Sequence, residues 1–361
     1  MSLGQRLQAF VAAGDAQHVL VLRMEDIRWL TGFTGSTAFA LVDRFTGTVN
    51  LFVDSRYVER AQHEVQHAQS ETQVVETVSG RSLTETLTEF VSGELSVDLH
   101  HVTAARFKEL SASFQVIEET GVFNQLRRVK DDREIAAMAR AASIADVALA
   151  EVLQDGFVGN TERQIRNRLD AAMRHLGADT VSFDTIVATG PNGARPHHEP
   201  SDTVIESGHA VVVDMGAEVD GYRSDMTRTI QVGHWSHEIA EMYRIVREAQ
   251  AHGVSIVRDG VVGRAVDDAV RDVFRREGVE HEYLHGTGHG VGLYIHEEPI
   301  LSPRCEAVLS AGEVVTVEPG LYRKGVGGVR IEDQVVVTGT GCRILTLSPK
   351  ELSCPRSQQT I

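Results

Sequence analysis

Two pairs of acidic residues stand inside otherwise apolar, strand-like segments, each pair placed about a glycine-containing turn. Asp214 and Asp225 belong to VVVDMGAEVDGYRSDMTRT, and Glu318 and Glu332 to TVEPGLYRKGVGGVRIED. The midpoints fall beside Asp220-Gly221 and within residues 324–328. Residues equidistant from a hairpin turn face each other across two antiparallel strands, so each hairpin is expected to set two carboxylates side by side. Like charges directly opposite destabilise a sheet. The runs 211–213 and 314–317 ahead of the acids read as buried, which argues against solvation as the relief. Four ionised carboxylates cannot share a buried pocket without cations. The pattern points to a metal cluster.

The rest of the composition is that of an ordinary globular protein: 361 residues, 42% hydrophobic and 24% charged, enough for two domains with separate cores. No apolar run approaches the roughly 18 to 20 residues that span a bilayer. The N-terminus lacks the order of a signal peptide, so a cytoplasmic location is expected and no membrane partner. A net charge of −16 disfavours nucleic acid, whose phosphates need a basic face. Cys305, Cys342 and Cys354 are few and odd in number, which speaks against a disulfide framework or a zinc ribbon.

Residues 1–124 alternate short apolar runs (18–22, 39–42, 49–53) with amphipathic stretches (56–65, 83–91, 103–110), the pattern of a small α/β domain. A boundary is expected near 121–130, followed by a second domain over 125–361. There Asp131 with Glu134 reads as a capping box opening a helix to about residue 155, and Thr161 with Gln164 opens another that ends at Gly177. Helices over 236–258 and 265–276 follow the first acidic hairpin. Strands are expected at 185–188, 210–218, 222–232, 314–318 and 329–337. Two helices and an acidic hairpin thus occur twice, which suggests half-domains that bring all four carboxylates to one floor.

A nitrogen ligand is at hand in HGTGHGVGLYIH, residues 285–296. Glycines at 286, 288, 290 and 292 make a helix improbable. An extended chain puts 285, 287 and 289 on one face, with the glycines admitting a metal or substrate to the backbone. Oxygen ligands alone suit Mn²⁺, Mg²⁺ or Ca²⁺; an imidazole shifts the preference toward Mn, Fe, Co or Zn.

Five segments together resemble one family: PHHEPSD (196–202), VDMGAEVDGYRSDMTRT (213–229), HGTGHGVGLYIHEEP (285–299), VEPGLY (317–322) and GVRIEDQVVV (328–337). They are similar to the pita-bread metallopeptidases, nearest the Xaa-Pro aminopeptidases and Xaa-Pro dipeptidases. RWLTGFTGS (28–36) and DSRYVERA (54–61) resemble the creatinase-type N-terminal domain of that group. The resemblance implies an α+β chain: a C-terminal pita-bread domain of antiparallel sheets with flanking helices, preceded by a smaller α/β creatinase-like domain. It implies two divalent ions, Mn²⁺ first and Co²⁺ or Zn²⁺ as alternatives, held by Asp214, Asp225, His289, Glu318 and Glu332. It gives His197, rather than His198, a place beside the substrate. It puts His296 by the tetrahedral intermediate and His285 by the proline after the scissile bond. Arg330 orients carboxylates and relays protons. A homodimer is implied as well.

The implied chemistry is hydrolysis of small peptides with proline at the second position. A metal-activated hydroxide attacks, Glu318 moves its proton, and His197 and His296 bind the oxyanion. Dipeptidases of the group commonly follow HExP with an arginine that clamps the substrate carboxylate. Here Ile300 follows His296-Glu-Glu-Pro299, so aminopeptidase is the expected activity and dipeptidase the alternative. A methionine aminopeptidase would not need the N-terminal domain. Metal-independent hydrolysis, or a non-catalytic peptide-binding module, would be expected to lack ligands that are all present.

Overall fold

The computed structural model describes residues 1–354; positions 355–361 of the expected C-terminal domain lie outside them. The chain divides into two compact units, Met1–Arg127 and the remainder from Arg128.

The first unit is built on a six-stranded mixed sheet. Its order is Gln73–Glu76, Thr48–Val53, Phe39–Asp43, His18–Val21, Glu94–Val97, Gln115–Glu118. The apolar runs at 18, 39 and 48 form its antiparallel centre and the outer strands add in parallel. The helix expected over 83–91 stops at Leu87. Thr86 and Thr88 turn their hydroxyls back onto the carbonyls of Ser82 and Glu85, and such bonds compete with helix propagation. A helix at Leu3–Ala12, opened by a Ser2/Gln5 capping box, was not among the expected elements.

The second unit repeats one plan. Helices Asp132–Gln154 and Glu162–His175 open on the Asp131/Glu134 and Thr161/Gln164 capping boxes. They cover a sheet ordered Leu352–Cys354, Met226–Val232, Ala210–Met215, Ile186–Thr189. Helices His237–Ile256 and Gly263–Arg276 cover a second sheet, ordered Glu297–Leu301, Gly288–Gly290, Val314–Val317, Asp333–Val337, Cys342–Ile344. Alternation along the strands fixes which side chains go where. Val211, Val213 and Met215 pack with Leu149, Ile165 and Leu169, while Asp214 takes the opposite face. Val315 and Val317 pack with Val257 and Val266, which leaves Glu318 on the far side. The two sheets are stitched where the Glu332 amide donates to the Thr227 carbonyl (3.1 Å) and Thr229 Oγ1 donates to the Arg330 carbonyl (2.9 Å).

The register corrects one expectation. The first hairpin turns on Asp220-Gly221, both at positive φ (51° and 72°), the two-residue type I′ geometry that Asp-Gly favours. Val219 therefore pairs with Tyr222 and Asp214 with Thr227. Asp225 sits diagonal to Asp214, not opposite it. Diagonal neighbours are roughly 7–8 Å apart along a sheet, so the repulsion is softened by geometry. In the second hairpin the pairs Val317–Asp333 and Gly320–Arg330 bracket Glu318 and Glu332, which do stand opposite each other. Pro319 has no N–H for the ladder, and the pairing breaks there. The amides of Glu318 and Glu332 turn instead to the carbonyls of Thr287 and Thr227.

The glycine-rich segment differs too. Regular strand is confined to Gly288–Gly290. Thr287 leaves the face expected for it, donating to Asp267 Oδ1 (2.9 Å) and lying 2.9 Å from the Tyr283 hydroxyl. A Cβ at Gly288 would strike the Thr316 carbonyl, and one at Gly290 the Glu298 carbonyl. Gly288 and Gly290 admit the backbones of neighbouring strands, and Gly286 and Gly288 also border the cleft between the hairpins.

Candidate metal centre

The unpacked faces of the two hairpins form the floor of a cleft of about 730 Å³, within the range of ligand pockets. Asp214, Asp225, His285, His289, His296, His197, Glu318, Arg330 and Glu332 all line it. One ligand atom each from Asp225, His289 and Glu332 lie within 4.8 Å of one another. His289 Nε2 is 3.6 Å from both Asp225 Oδ2 and Glu318 Oε1.

The imidazole is aimed by its other nitrogen. His289 Nδ1 is 3.0 Å from the Gly290 carbonyl; a carbonyl only accepts, so Nδ1 carries the proton and Nε2 presents its lone pair to the acids. Burial holds the His289 pKa down to about 4, which keeps the ring neutral. Asp225, Glu332 and Glu318 shift the other way. Burial, then the charges of Glu332, Asp214 and Glu318, push Asp225 well above the carboxylate range. Burial, Glu318 and Asp214 do the same to Glu332. Glu318 rises to about 8, through burial first and Asp214 in addition, against the opposing charge of Arg330.

This donor set fits divalent cations. Asp214 Oδ1 and Glu332 Oε1 are buried without a hydrogen-bond partner among the described residues, and a buried acceptor left unpaired costs about 1–3 kcal/mol. His289 Nε2, a lone-pair nitrogen, faces the carboxyl groups of Asp225 and Glu318 at 3.6 Å. A cation satisfies all of these atoms at once.

Arg330 is a cation built into the floor. Its Nε donates to Thr227 Oγ1 (3.0 Å), one terminal nitrogen to the Pro196 carbonyl (3.2 Å) and the Tyr322 hydroxyl (3.0 Å), the other to Asp214 Oδ2 (2.6 Å). Tyr322 in turn lies 2.8 Å from His285 Nε2. Burial raises the Tyr322 pKa to about 12 and lowers that of His285 to about 4, so both stay neutral. The His296 ring lies edge-on to His289, centroids 4.6 Å apart. Its pKa is lowered, by burial and by His197.

His197 is exposed on the cleft wall, while the His198 ring is tied to Glu162 Oε2 at 2.8 Å. Several site residues lay outside the sequence reading. Thr227 donates to Glu332 Oε2 (2.8 Å). Lys130 reaches Glu297, beside His296, at 3.1 Å. Fully buried Glu162 gathers donors from Thr189, Asn192, Ser201 and His198. Tyr322 and Thr227 sit inside the motifs already quoted, and the alternation of strand faces is the signal that could have found them.

Known proteins match this chain along nearly its whole length. The model of the creatinase/prolidase N-terminal domain matches residues 4–129, and that of metallopeptidase family M24 residues 136–339. A Xaa-Pro dipeptidase of Pyrococcus furiosus is 32% identical over 349 residues, 96% of this chain and 98% of its own. The solved structure of a Xaa-Pro dipeptidase from Bacillus anthracis superposes with a TM-score of 0.89 at 37% identity, covering 97% of this chain and 98% of that one. An X-Pro aminopeptidase from Thermotoga maritima superposes at 0.84 with 34% identity, covering 93% and 97%. With its acidic hairpins, its buried histidine and its N-terminal α/β unit, the chain belongs to metallopeptidase family M24, a family of metal-dependent peptide hydrolases.

Proposed function

We propose that the protein hydrolyses the bond ahead of proline in short peptides, with Xaa-Pro dipeptides as its main substrates. The observation that carries hydrolysis is the floor of Asp214, Asp225, His289, Glu318 and Glu332, where Asp214 Oδ1 and Glu332 Oε1 lack a hydrogen-bond partner among the described residues and His289 Nε2 faces Asp225 and Glu318 at 3.6 Å. The choice of dipeptides over longer peptides reverses the expectation drawn from Ile300. It is supported by the relatives named Xaa-Pro dipeptidase, which match at 37% and 32% identity over almost the full length.

In this reading the five side chains hold two divalent ions, Mn²⁺ first, with Co²⁺ and Zn²⁺ as alternatives. When bound, such ions supply an acidified water and polarise the scissile carbonyl. Glu318, which shares the floor with His289 at 3.6 Å, would accept the proton of that water and pass it to the departing imino nitrogen. His197 and His296 stand on the cleft wall to donate to the developing oxyanion. His285, held by Tyr322, borders the proline. Arg330 keeps Asp214 fixed and spreads positive charge under the floor. No helix among the described residues is long and apolar enough to cross a membrane; a homodimer is the assembly that the family likeness supports.

The test is a side-by-side kcat/KM measurement on Xaa-Pro dipeptides and Xaa-Pro-Yaa tripeptides with Mn²⁺ and Co²⁺. Dipeptides are expected to be the better substrates. A clear preference for tripeptides would return the reading to aminopeptidase, and no cleavage of either would end it.

A further inference from the structure

We propose that Arg166 is a specificity-determining residue that binds a carboxylate carried by the substrate. This rests on the Xaa-Pro reading above and names which substrates the cleft favours. Among the described residues two arginines line the cleft, Arg166 and Arg330. Every nitrogen of the Arg330 side chain is already engaged. Arg166 is not so committed. Its Nε donates to the neighbouring Asn167 (2.8 Å) and stands 3.9 Å from Asp170. Among the described residues its two terminal amino groups make no hydrogen bond, and the side chain is 29% exposed. A guanidinium with two parallel donors turned to a cleft is matched in shape and charge by a carboxylate.

Its place in the fold says where that carboxylate would lie. Arg166 is on helix Glu162–His175, which Asp170 and Thr185 tie to the start of strand Ile186–Thr189 (2.7 Å). That strand is one edge of the first sheet; Glu297–Leu301, which carries Ile300, is an edge of the second. The ligand-bearing strands lie between these two edges. Arg166 and Ile300 therefore mark opposite flanks of the carboxylate floor. The missing arginine after Pro299 leaves one flank apolar, and the other flank has its own guanidinium. The recognised carboxylate is either the side chain of an acidic residue ahead of the scissile bond or the α-carboxylate of the proline after it.

Four substrates separate these sources in the metal-loaded full chain: Ala-Pro, Ala-Pro amide, Glu-Pro and Gln-Pro. Wild type is expected to favour the carboxylate-bearing member of one pair by roughly 10- to 100-fold in KM, the worth of a hydrogen bond to a charged group. A preference for Ala-Pro over its amide identifies the α-carboxylate, and one for Glu-Pro over Gln-Pro the side chain. Arg166→Gln should erase that preference with kcat little changed, Arg166→Lys should keep part of it, and, where the side chain is the group recognised, Arg166→Glu should turn it toward Lys-Pro. Equal losses on all four substrates, or none on any, would overturn the proposal while leaving Xaa-Pro hydrolysis in place. Failure of wild type to cleave any of them would instead overturn the Xaa-Pro reading, and the proposal with it.

Discussion

Arg330 on the second hairpin donates to Asp214 on the first at 2.6 Å, with both side chains largely shielded from water. The same guanidinium holds Thr227, the Pro196 carbonyl and Tyr322, so one side chain sets the spacing of the two half-domains at their carboxylates. Breaking a buried ion pair from one side costs about 3–5 kcal/mol. Arg330→Met is expected to lower stability by that order in urea unfolding of the metal-loaded protein, and kcat by about 100-fold or more. Arg330→Lys should rescue little, because one ammonium cannot reach four acceptors in a fixed plane. Wild-type stability and turnover in the lysine variant would contradict this account.

Asp225→Asn and Glu332→Gln should abolish turnover while leaving circular dichroism unchanged. Their effect on stability is expected to depend on metal. Each removes one of several like charges from a buried site, so the metal-free variants should melt above metal-free wild type near pH 8. After loading with Mn²⁺ the order should reverse, since binding to the native state stabilises by mass action and the variants bind less. Metal analysis after dialysis, with paired melting curves, checks both halves. Variants that hold as much metal as wild type would remove these residues from the ligand set.

The parts of this fold that were legible in the sequence were those fixed by local rules. The Asp131/Glu134 and Thr161/Gln164 boxes gave their helix starts because capping is decided within four residues. The acidic segments announced a shared floor because a carboxylate after three valines has few other uses. The register of the first hairpin is equally local, but the acids do not set it: the positive-φ pair Asp220-Gly221 determines which residues face each other. Contacts made across the unit were not legible. Glu162 opens a helix like any other acidic N-terminal residue, and nothing in its neighbourhood of the chain foretells Ser201 and His198 converging on it. The glycines at 288 and 290 signal close approach, but that neighbouring strands make it is a tertiary fact.

The pH dependence of stability should invert with metal. In the metal-free fold Glu318 titrates at about 8 against an ordinary 4.5, and Asp225 and Glu332 shift in the same direction. Between those values the native state keeps protons that the unfolded chain has lost, so unfolding becomes easier as pH rises. Metal-free protein is therefore expected to lose stability from about pH 6.5 to pH 8; below that His285 and His289, held at about 4 by burial against an ordinary 6.5, act in the opposite sense. Cations compete with those same protons, so the rise in melting temperature on adding Mn²⁺ should grow over the same interval. Calorimetry in chelator and in Mn²⁺ across this range tests the sign; a metal-induced shift that shrinks toward pH 8 would be inconsistent with it.

Glu162 should matter for stability out of proportion to its distance from the floor. Its fully buried carboxylate accepts from the Thr189 and Ser201 amides, Asn192 Nδ2 and Ser201 Oγ, and contacts His198 at 2.8 Å. Burial alone would raise its pKa, but the His198 contact and the other donors outweigh burial and hold it below the usual value. A depressed carboxyl contributes stability above its unfolded pKa and loses it as pH falls through the folded one. Glu162→Ala leaves several buried donors unpaired at about 1–3 kcal/mol each, so a loss of about 3 kcal/mol or more is expected at pH 7 and less at pH 3. His198 adjoins His197 in the chain, so kcat should fall along with stability. Glu162→Gln, which keeps the shape but must turn an NH₂ toward one set of donors, should fall between. A Glu162→Ala protein with an unchanged unfolding midpoint at pH 7 would refute the role given to this cluster.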